Sequence, residues 1–200
     1  VVPLDTWQEK RFKRYSDLKA LLSDLKNELA KGSAQSPTAL IIGALGRVGT
    51  GAADLLSALG VSVTKWDMAE TASGGPFPEV LAHDLFLNCI LARPGTPVFV
   101  PESAKTMPRS LSVIGDIACD PDSDFSPIKV YDRTTTWDVP ALRVHDDPPL
   151  DVTAIDNLPS MLPVESSQDY AAQLLPSLLT VSTLKSGVWA RAEATFHEHV

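Results

Sequence analysis

The segment from residue 39 to residue 67 constrains the fold of this chain more than any other. An apolar run at 39–42 breaks into a glycine-rich turn at 43–51, and a helix-like stretch follows at 52–59. A second apolar run then ends on an acid, Asp67. This order of strand, glycine turn, helix and strand with a terminal acid is typical of a βαβ unit that binds a dinucleotide.

The glycines of this turn predict how the phosphates of a dinucleotide would be held. Gly43, Gly46 and Gly49 form the pattern G-x-x-G-x-x-G, in which the middle glycine is displaced by one residue from G-x-G-x-x-G. Glycine lets the backbone turn sharply, and the following helix offers unpaired N–H groups and the positive end of its dipole to an anion. Glycine turns also serve as plain connections between strand and helix, so a purely structural turn in another doubly wound fold stays open.

Asp67 predicts which dinucleotide is bound. It stands near the spacing of roughly 20 residues at which an acid accepts hydrogen bonds from the ribose hydroxyls of adenosine. A carboxylate at this position would repel the 2′-phosphate of NADP. The sequence therefore favours NAD.

Further apolar runs predict a parallel sheet that is covered on both faces. The runs at 85–90 and 111–118 are continuous and lack the alternation of a strand with one wet face. The stretch 121–149 is rich in Pro, Asp and Thr and is expected to hold short antiparallel or irregular pieces. The expected fold is α/β, a Rossmann-like doubly wound parallel sheet with flanking helices and a helical C-terminal tail.

The chain is expected to have three parts. Helical spacing of apolar residues predicts helices at 16–31, 167–175 and 188–199. Residues 1–36 are interpreted as a helical segment that leads into the domain, 37–163 as the NAD-binding domain, and 164–200 as a helical tail.

Composition excludes several classes of function. The net charge is −8 and the basic residues form no stripe beyond 10–14, so nucleic acid is not an expected partner. Two cysteines, Cys89 and Cys119, are too few for a disulfide framework or a zinc site and are expected to be buried and reduced. No apolar run approaches the roughly 18 residues of a membrane span, and the first residues do not form a signal peptide. A cytoplasmic protein with no membrane partner and no metal is therefore expected.

Several separate motifs resemble one family in their order and spacing. They are Leu-Ile-Ile-Gly-Ala-Leu-Gly-Arg at 40–47, Lys-Trp-Asp at 65–67, Glu-Thr at 70–71, Gly-Gly-Pro-Phe at 74–77, Asn-Cys-Ile at 88–90, Ile-Asp-Asn-Leu-Pro-Ser-Met-Leu-Pro at 155–163 and Val-Trp-Ala-Arg-Ala at 188–192. Together they resemble the NAD-dependent, lysine-forming saccharopine dehydrogenases of fungi, from about residue 16 to the end. The resemblance implies two Rossmann-like domains around a cleft, in which saccharopine is oxidised to lysine and 2-oxoglutarate while NAD is reduced.

The resemblance covers only the latter half of such an enzyme. It implies a cofactor domain followed by a tail that returns to a first domain without a counterpart in this chain. The lysine and histidine that transfer protons in the family lie in that amino-terminal half, so no catalytic residue is expected here. The implied partners are the missing half and a small amino-acid substrate, either saccharopine or lysine with 2-oxoglutarate.

The resemblance also implies the contact residues of the site. The cofactor contacts are Gly43, Gly46, Arg47, Asp67, Thr71, Leu91, Ile117, Ile155, Asp156, Asn157 and Leu158. The substrate contacts are Ala118, Cys119 and Asp120. Three positions depart from the family: Leu91 replaces an aromatic residue, Asn157 replaces a frequent histidine, and Val48 replaces a cysteine that could pair with Cys89.

Two carboxylates bracket the end of the predicted strand at 111–118. Asp116 and Asp120 stand where carboxylates that face a substrate often lie in open α/β sheets. A carboxylate there could receive the amine of saccharopine. An exposed turn acid is the alternative for Asp120, because Pro121 follows it.

Two other functions stay open. An NAD(P)-dependent imine or dihydrodipicolinate-type reductase can share the Gly-x-x-Gly-Arg-x-Gly turn, although the Lys-Trp-Asp and Ile-Asp-x-Leu-Pro runs speak against it. A non-catalytic nucleotide-binding module agrees with the short chain. The four histidines do not match a catalytic position of the family; they are His83, His145, His197 and His199.

Overall fold

The computed structural model describes residues 11–32, 36–183 and 185–200. These residues form two compact units. The first comprises residues 11–13 and Lys19–Leu158, and the second comprises Arg14–Leu18 and Pro159–Val200.

The first unit is built around a six-stranded sheet. The strands are β1 (Thr38–Ile42), β2 (Ser62–Trp66), β3 (Leu85–Asn88), β4 (Val113–Asp116), β5 (Leu142–Asp146) and β6 (Pro149–Thr153). The helices among the described residues are α1 (Leu18–Ala30), α2 (Arg47–Ala58), α3 (Met68–Thr71), α4 (Pro78–Ala82), α5 (Pro163–Leu178) and α6 (Gly187–His199). Two 3₁₀ turns lie at Glu102–Lys105 and Leu158–Met161.

The order of the strands confirms the predicted Rossmann-like α/β fold. The sheet runs β2-β1-β3-β4-β6-β5, and every neighbouring pair is parallel except β5 and β6. From β1 the chain crosses to β2 on one side and then returns to β3 on the other, so the strand order reverses at β1. Ligands of such sheets bind in the crevice at the carboxyl ends of the strands beside this reversal. The antiparallel edge strand β5 lies in the stretch where short antiparallel pieces are predicted.

The two faces of the sheet are covered in different ways. On one face, Ala53 and Leu56 of α2 pack against Ala39 and Ile41 of β1. On the other face, a larger cluster around Phe86 is covered by α4 and by an irregular layer from 99–104 and 128–131. Pro101 lies within this layer, and Pro94, Pro97 and Pro108 lie close to its first segment, which disfavours a regular helix there because proline lacks an amide donor.

The second unit consists of two helices and a short preceding segment. The N–H of Tyr15 donates to the carbonyl of Met161, and the N–H of Leu18 donates to the carboxylate of Glu165 at 2.8 Å. Trp189 Nε1 donates to the carbonyl of Ser177. No residue of α5 or α6 is buried. The large apolar side chains that stay exposed in this unit are Leu18, Val164, Tyr170, Leu175, Leu178, Leu179, Val181, Val188, Phe196 and Val200.

Among the residues that the structure describes, no helix has the length and apolar character needed to cross a bilayer.

Candidate functional site

The turn between β1 and α2 brings backbone segments unusually close together. A Cβ atom placed on Gly49 would lie 2.1 Å from the carbonyl oxygen of Gly43 and 2.6 Å from the Cα of Ala44. Gly43 has a φ of +86°, and a Cβ on it would lie 2.8 Å from the carbonyl oxygen of Cys89. Gly46 is less crowded, since its Cβ would be 3.4 Å from the nearest atom. The first and third glycines therefore pack the turn, and the second leaves its outer side open.

The start of α2 is suited to an anion. The helix begins at Arg47, and the preceding Gly46 has no side chain to cap the first N–H groups. Uncapped N–H groups and the positive end of the helix dipole together attract phosphate. Arg47 is exposed at the first position of this helix.

Asp67 lies directly against this turn. Its Oδ2 accepts a hydrogen bond from the N–H of Leu45 at 3.1 Å, and its Oδ1 accepts one from the N–H of Met68 at 2.9 Å. The N–H groups of Gly43 and Ala44 both donate to the carbonyl of Trp66, which fastens the end of β2 to the turn. The structure thus brings the predicted ribose acid to the glycine turn.

Thr71 lies one helical turn beyond Asp67. Its hydroxyl donates to the carbonyl oxygen of Asp67 at 3.0 Å. Glu70 completes a capping box, because its carboxylate accepts the N–H of Asp67 at 2.7 Å. These bonds hold α3 in place, so a direct contact of Thr71 with ribose stays a prediction.

Exposed apolar side chains surround the same edge of the sheet. Leu45 on the turn, Met68 after β2 and Leu91 after β3 are 79%, 82% and 79% exposed. Of these three residues, only Leu91 was predicted from the sequence to contact the cofactor. The other two could have been noticed as large apolar residues inside a polar turn, where they cannot serve the core.

The segment after β4 holds the predicted substrate contacts. The N–H of Ile117 donates to the carbonyl of Asn88 at 3.0 Å. Asp116 accepts hydrogen bonds from the N–H groups of Ala118 at 3.1 Å and Cys119 at 3.4 Å. Cys119 has a φ of +53°, and Asp120 is exposed beyond it.

Asp116 does not face a substrate. Its side chain is buried, and besides the two N–H groups it accepts from Asn88 Nδ2 at 2.9 Å and from the Tyr131 hydroxyl at 2.6 Å. Burial, and next the hydrogen bond to Asp116, raise the pKa of Tyr131, which therefore remains a donor. The sequence could not reveal this network, because its three side chains come from separate segments. Asp120 as a substrate contact stays a prediction.

The segment after β6 reaches the same edge of the sheet. Ile155 is buried, whereas Asp156 and Asn157 are exposed. Asn157 Oδ1 accepts a hydrogen bond from Trp137 Nε1 at 2.7 Å. Burial, followed by the negative charge of Asp156, raises the pKa of the Cys119 thiol. Asp156, which follows β6, therefore lies near enough to Cys119, which follows β4, to affect the pKa of its thiol. Leu158, which begins the next 3₁₀ turn, is half-buried.

Both cysteines are free thiols of low reactivity. Burial, with a smaller contribution from Asp116, raises the pKa of Cys89 to about 11. The thiolate is the nucleophilic form of cysteine, so both thiols are poor nucleophiles near neutral pH. Both cysteines are free in this structure, and the prediction that they are buried is wrong, since each is only half-buried.

Two of the histidines lie at the opposite edge of the sheet. His83 precedes β3 and bonds Thr64 Oγ1 and the carbonyl of Glu79 at 2.8 and 2.7 Å. His145 pairs with Leu150 near the start of β6. In the described part of the chain, no group of three or more His, Cys, Asp or Glu side chains is arranged to hold a metal ion.

A groove of about 370 Å³ runs beside β5, away from the glycine turn. Three of its cations are already paired: Lys105 Nζ lies 2.7 Å from Glu102, Arg143 Nε lies 2.7 Å from Asp151 and Arg133 Nη1 lies 3.4 Å from Asp132. Its lining residues are Glu102, Lys105, Lys129, Val130, Tyr131, Asp132, Arg133, Leu142, Arg143 and Val144.

The backbone of Cys119 predicts an unusual response to substitution. A φ of +53° costs an L-residue roughly 1–2 kcal/mol, and glycine avoids this cost. We expect Cys119→Gly to be more stable than Cys119→Ala by about 1 kcal/mol in urea unfolding. Equal stability of the two variants would contradict the left-handed conformation at this position.

Comparison with known proteins confirms the resemblance found in the motifs. The chain is 42% identical over 197 residues to the saccharopine dehydrogenase [NAD(+), L-lysine-forming] of Candida albicans, covering 93% of this chain and 52% of that protein. The enzyme of the same name from Neurospora crassa is also 42% identical, over 93% of this chain and 53% of its own length. That of Schizosaccharomyces pombe is 41% identical over 86% of this chain and 49% of its length. The chain thus spans about half the length of the curated relatives that it matches. No protein-family model matches it.

Proposed function

We propose that this chain is the NAD-binding part of an oxidoreductase that acts on the CH–NH bond of saccharopine and forms L-lysine and 2-oxoglutarate. The observation that carries this proposal is the contact of the Asp67 carboxylate with the glycine turn at the end of β2. The similarity to enzymes named NAD(+)-dependent and L-lysine-forming supplies the reaction.

The residues of the turn fit a dinucleotide. The open side of Gly46 and the uncapped start of α2 would receive the pyrophosphate. The Asp67 carboxylate accepts backbone bonds from Leu45, Met68 and, in the capping box, Glu70, and its roughly four lone-pair sites leave capacity for a ribose hydroxyl. Hydride acceptance is the chemistry that NAD⁺ supplies when bound.

The segments after β4 and β6 would orient the reacting end of the cofactor and the substrate. Ile117 would lie on the nicotinamide side, and Ala118–Cys119–Asp120 would contact the substrate. The run Ile155–Asp156–Asn157–Leu158 would contact the cofactor. Support for this arrangement comes from the shared edge of the sheet and from the influence of Asp156 on Cys119. Holding the donor carbon close to the hydride acceptor is the contribution that such segments make to the rate.

The other half of the enzyme would cover the C-terminal helices. Exposed apolar residues on α5 and α6, among them Tyr170, Leu175 and Phe196, provide a surface without a core of its own. We assign residues 1–36 to the lead-in segment, 37–163 to the NAD-binding domain and 164–200 to the docking tail. The relatives are about twice as long as this chain, and their additional half is the occupant that we propose for this surface. Proton transfer would be performed by residues of that half.

Calorimetric titration with NADH, NADPH and ADP-ribose tests the cofactor assignment. We expect micromolar binding of NADH and of ADP-ribose, and NADPH binding weaker by about tenfold or more, because Asp67 repels the 2′-phosphate. Equal binding of NADPH would contradict the role of Asp67. Absence of binding of all three ligands would overturn the cofactor site.

Turnover distinguishes the leading proposal from its alternatives. The chain alone is expected not to oxidise saccharopine, since its proposed proton-transfer groups lie in the other half. Addition of that half should restore the reaction. Rapid turnover by this chain alone would contradict the proposal that proton transfer is performed by the other half. Binding of NADH without any restored reaction would favour a non-catalytic nucleotide-binding module.

A further inference from the structure

We propose that Asp116 is a positioning residue for the nicotinamide end of the dinucleotide, acting through the loop at 117–120, and that Tyr131 and Asn88 hold its carboxylate in place. The inference rests on the proposed function, because that function gives the loop its ligand. It goes further by assigning a role to three residues that do not themselves contact cofactor or substrate.

The carboxylate of Asp116 joins the sheet to the loop. It is 1% exposed and accepts four hydrogen bonds. Two come from the loop, from the N–H groups of Ala118 and Cys119. The other two come from side chains of the surrounding core, Asn88 at 2.9 Å and Tyr131 at 2.6 Å. Bonds to a charged acceptor are the strong ones, so this carboxylate fixes the loop more firmly than a neutral group could.

The loop needs such a restraint because one of its residues has an unfavourable backbone. Cys119 adopts a φ of +53°, which an L-residue adopts only where its surroundings demand it. The hydrogen bond from its N–H to Asp116, together with the shorter one from the N–H of Ala118, holds the backbone in this conformation. Backbone strain of this kind is concentrated at ligand sites.

The side-chain amide of Asn88 has one favourable orientation in this network. Its Nδ2 donates to Asp116, while its Oδ1 is buried without a hydrogen-bond partner in the described structure. Reversal of the amide would place Oδ1 against the carboxylate, so the amide is held in one orientation. The carbonyl of Asn88 also accepts the N–H of Ile117, so this residue fastens the loop at two points.

Tyr131 connects the network to the irregular layer on the second face of the sheet. Its hydroxyl donates the shortest of the four bonds, and it lies 15 residues from Asp116 in sequence. Removal of this hydroxyl leaves a buried carboxylate with one donor fewer, and it preserves the ring and its packing. Tyr131→Phe therefore loosens the loop without opening a large cavity.

The first test compares two ligands on the full chain. In calorimetry, Tyr131→Phe should weaken NADH binding by about tenfold and leave ADP-ribose binding unchanged, because only the nicotinamide end reaches the loop. Tyr170→Phe removes a hydroxyl from an exposed tyrosine of α5 and is the matched control. An equal loss for both ligands, or no loss for either, would overturn the proposal. If the unaltered chain binds neither ligand, it is the proposed function that fails.

A second test needs no ligand. The order of the loop can be measured by alkylation of the two thiols with iodoacetamide, followed by mass spectrometry of the peptides. Tyr131→Phe should speed the reaction of Cys119 by about tenfold and leave that of Cys89 unchanged, because only Cys119 lies in the loop. Equal acceleration of both thiols would indicate general destabilisation and contradict the proposal, as would unchanged rates at both.

The conservative variant completes the comparison. Asp116→Asn can keep the oxygen that accepts from Ala118, Cys119 and Asn88, because all three donate to Oδ1. The new NH₂ group then takes the place of Oδ2 and can donate to the Tyr131 hydroxyl oxygen. We expect Asp116→Asn to retain most of the NADH affinity that Asp116→Ala loses. Equal NADH affinities in these two folded variants would overturn the positioning role.

Discussion

Substitution of Gly49 by alanine is expected to destabilise the chain by about 3 kcal/mol or more and to abolish NADH binding. The added Cβ would lie 2.1 Å from the carbonyl oxygen of Gly43 and 2.6 Å from the Cα of Ala44. Both atoms belong to the backbone of the turn, so neither can move aside as the end of a flexible side chain would. Helix α2 would have to shift away from β1, and the phosphate site would be lost with it. Urea unfolding and calorimetric titration measure the two effects.

Gly51→Ala is the matched control for this prediction. Gly51 lies two residues further along the same helix, and apart from the adjacent backbone of that helix no described atom lies within 4 Å of a Cβ placed there. Alanine is favoured over glycine in a helix by roughly 0.5–1 kcal/mol, so this variant should be slightly more stable and bind NADH normally. Similar behaviour of the two variants would contradict the close contact between helix and turn.

The sequence predicted the glycine turn but not the function of each glycine. Gly43, Gly46 and Gly49 are evenly spaced, and spacing alone gives them equal weight. Tertiary contacts separate them: two are crowded by backbone atoms and the middle one is not. The displaced middle glycine of the pattern is therefore the one with most room for a ligand.

Strands and helices were predicted well where the apolar residues follow a clear pattern, continuous in the buried strands and helically spaced in the helices. The helix predicted at 16–31 is present as α1, which begins two residues later, at Leu18. Helix α5 extends beyond the predicted 167–175 because Pro163 is tolerated at the first helical position, where no amide donor is needed. Pro176 lies in its last turn. The strand predicted at 85–90 ends at Asn88, where the carboxyl edge of the sheet begins.

The buried polar network could not be predicted from the sequence. Asn88 and Asp116 are neighbours in the register of β3 and β4, although 28 residues separate them. Tyr131 comes from the irregular layer, whose path no periodic pattern indicates. The sequence placed Asp116 at the end of a strand correctly, and only the register and the packing turn its carboxylate inward.

Asp67→Asn is expected to weaken NADH binding by roughly 1.5–3 kcal/mol and to remove most of the preference over NADPH. Asparagine can still accept the N–H of Met68 and cap α3, whereas an NH₂ group in place of Oδ2 cannot accept the N–H of Leu45. The variant also loses the negative charge, which strengthens the ribose hydrogen bonds and repels the 2′-phosphate of NADPH. Calorimetric titration of the variant with both dinucleotides measures the two effects together.

Asp54→Asn provides the control, because it removes the same charge from an exposed position of α2. This variant should bind both dinucleotides as the unaltered chain does. Unchanged NADH affinity in Asp67→Asn would contradict the proposal that this carboxylate binds the ribose of adenosine. A loss of NADH affinity with an undiminished preference over NADPH would mean that Asp67 holds the turn through Leu45 and that another group excludes the 2′-phosphate. The pair of dinucleotides therefore separates the electrostatic role of this carboxylate from its structural one.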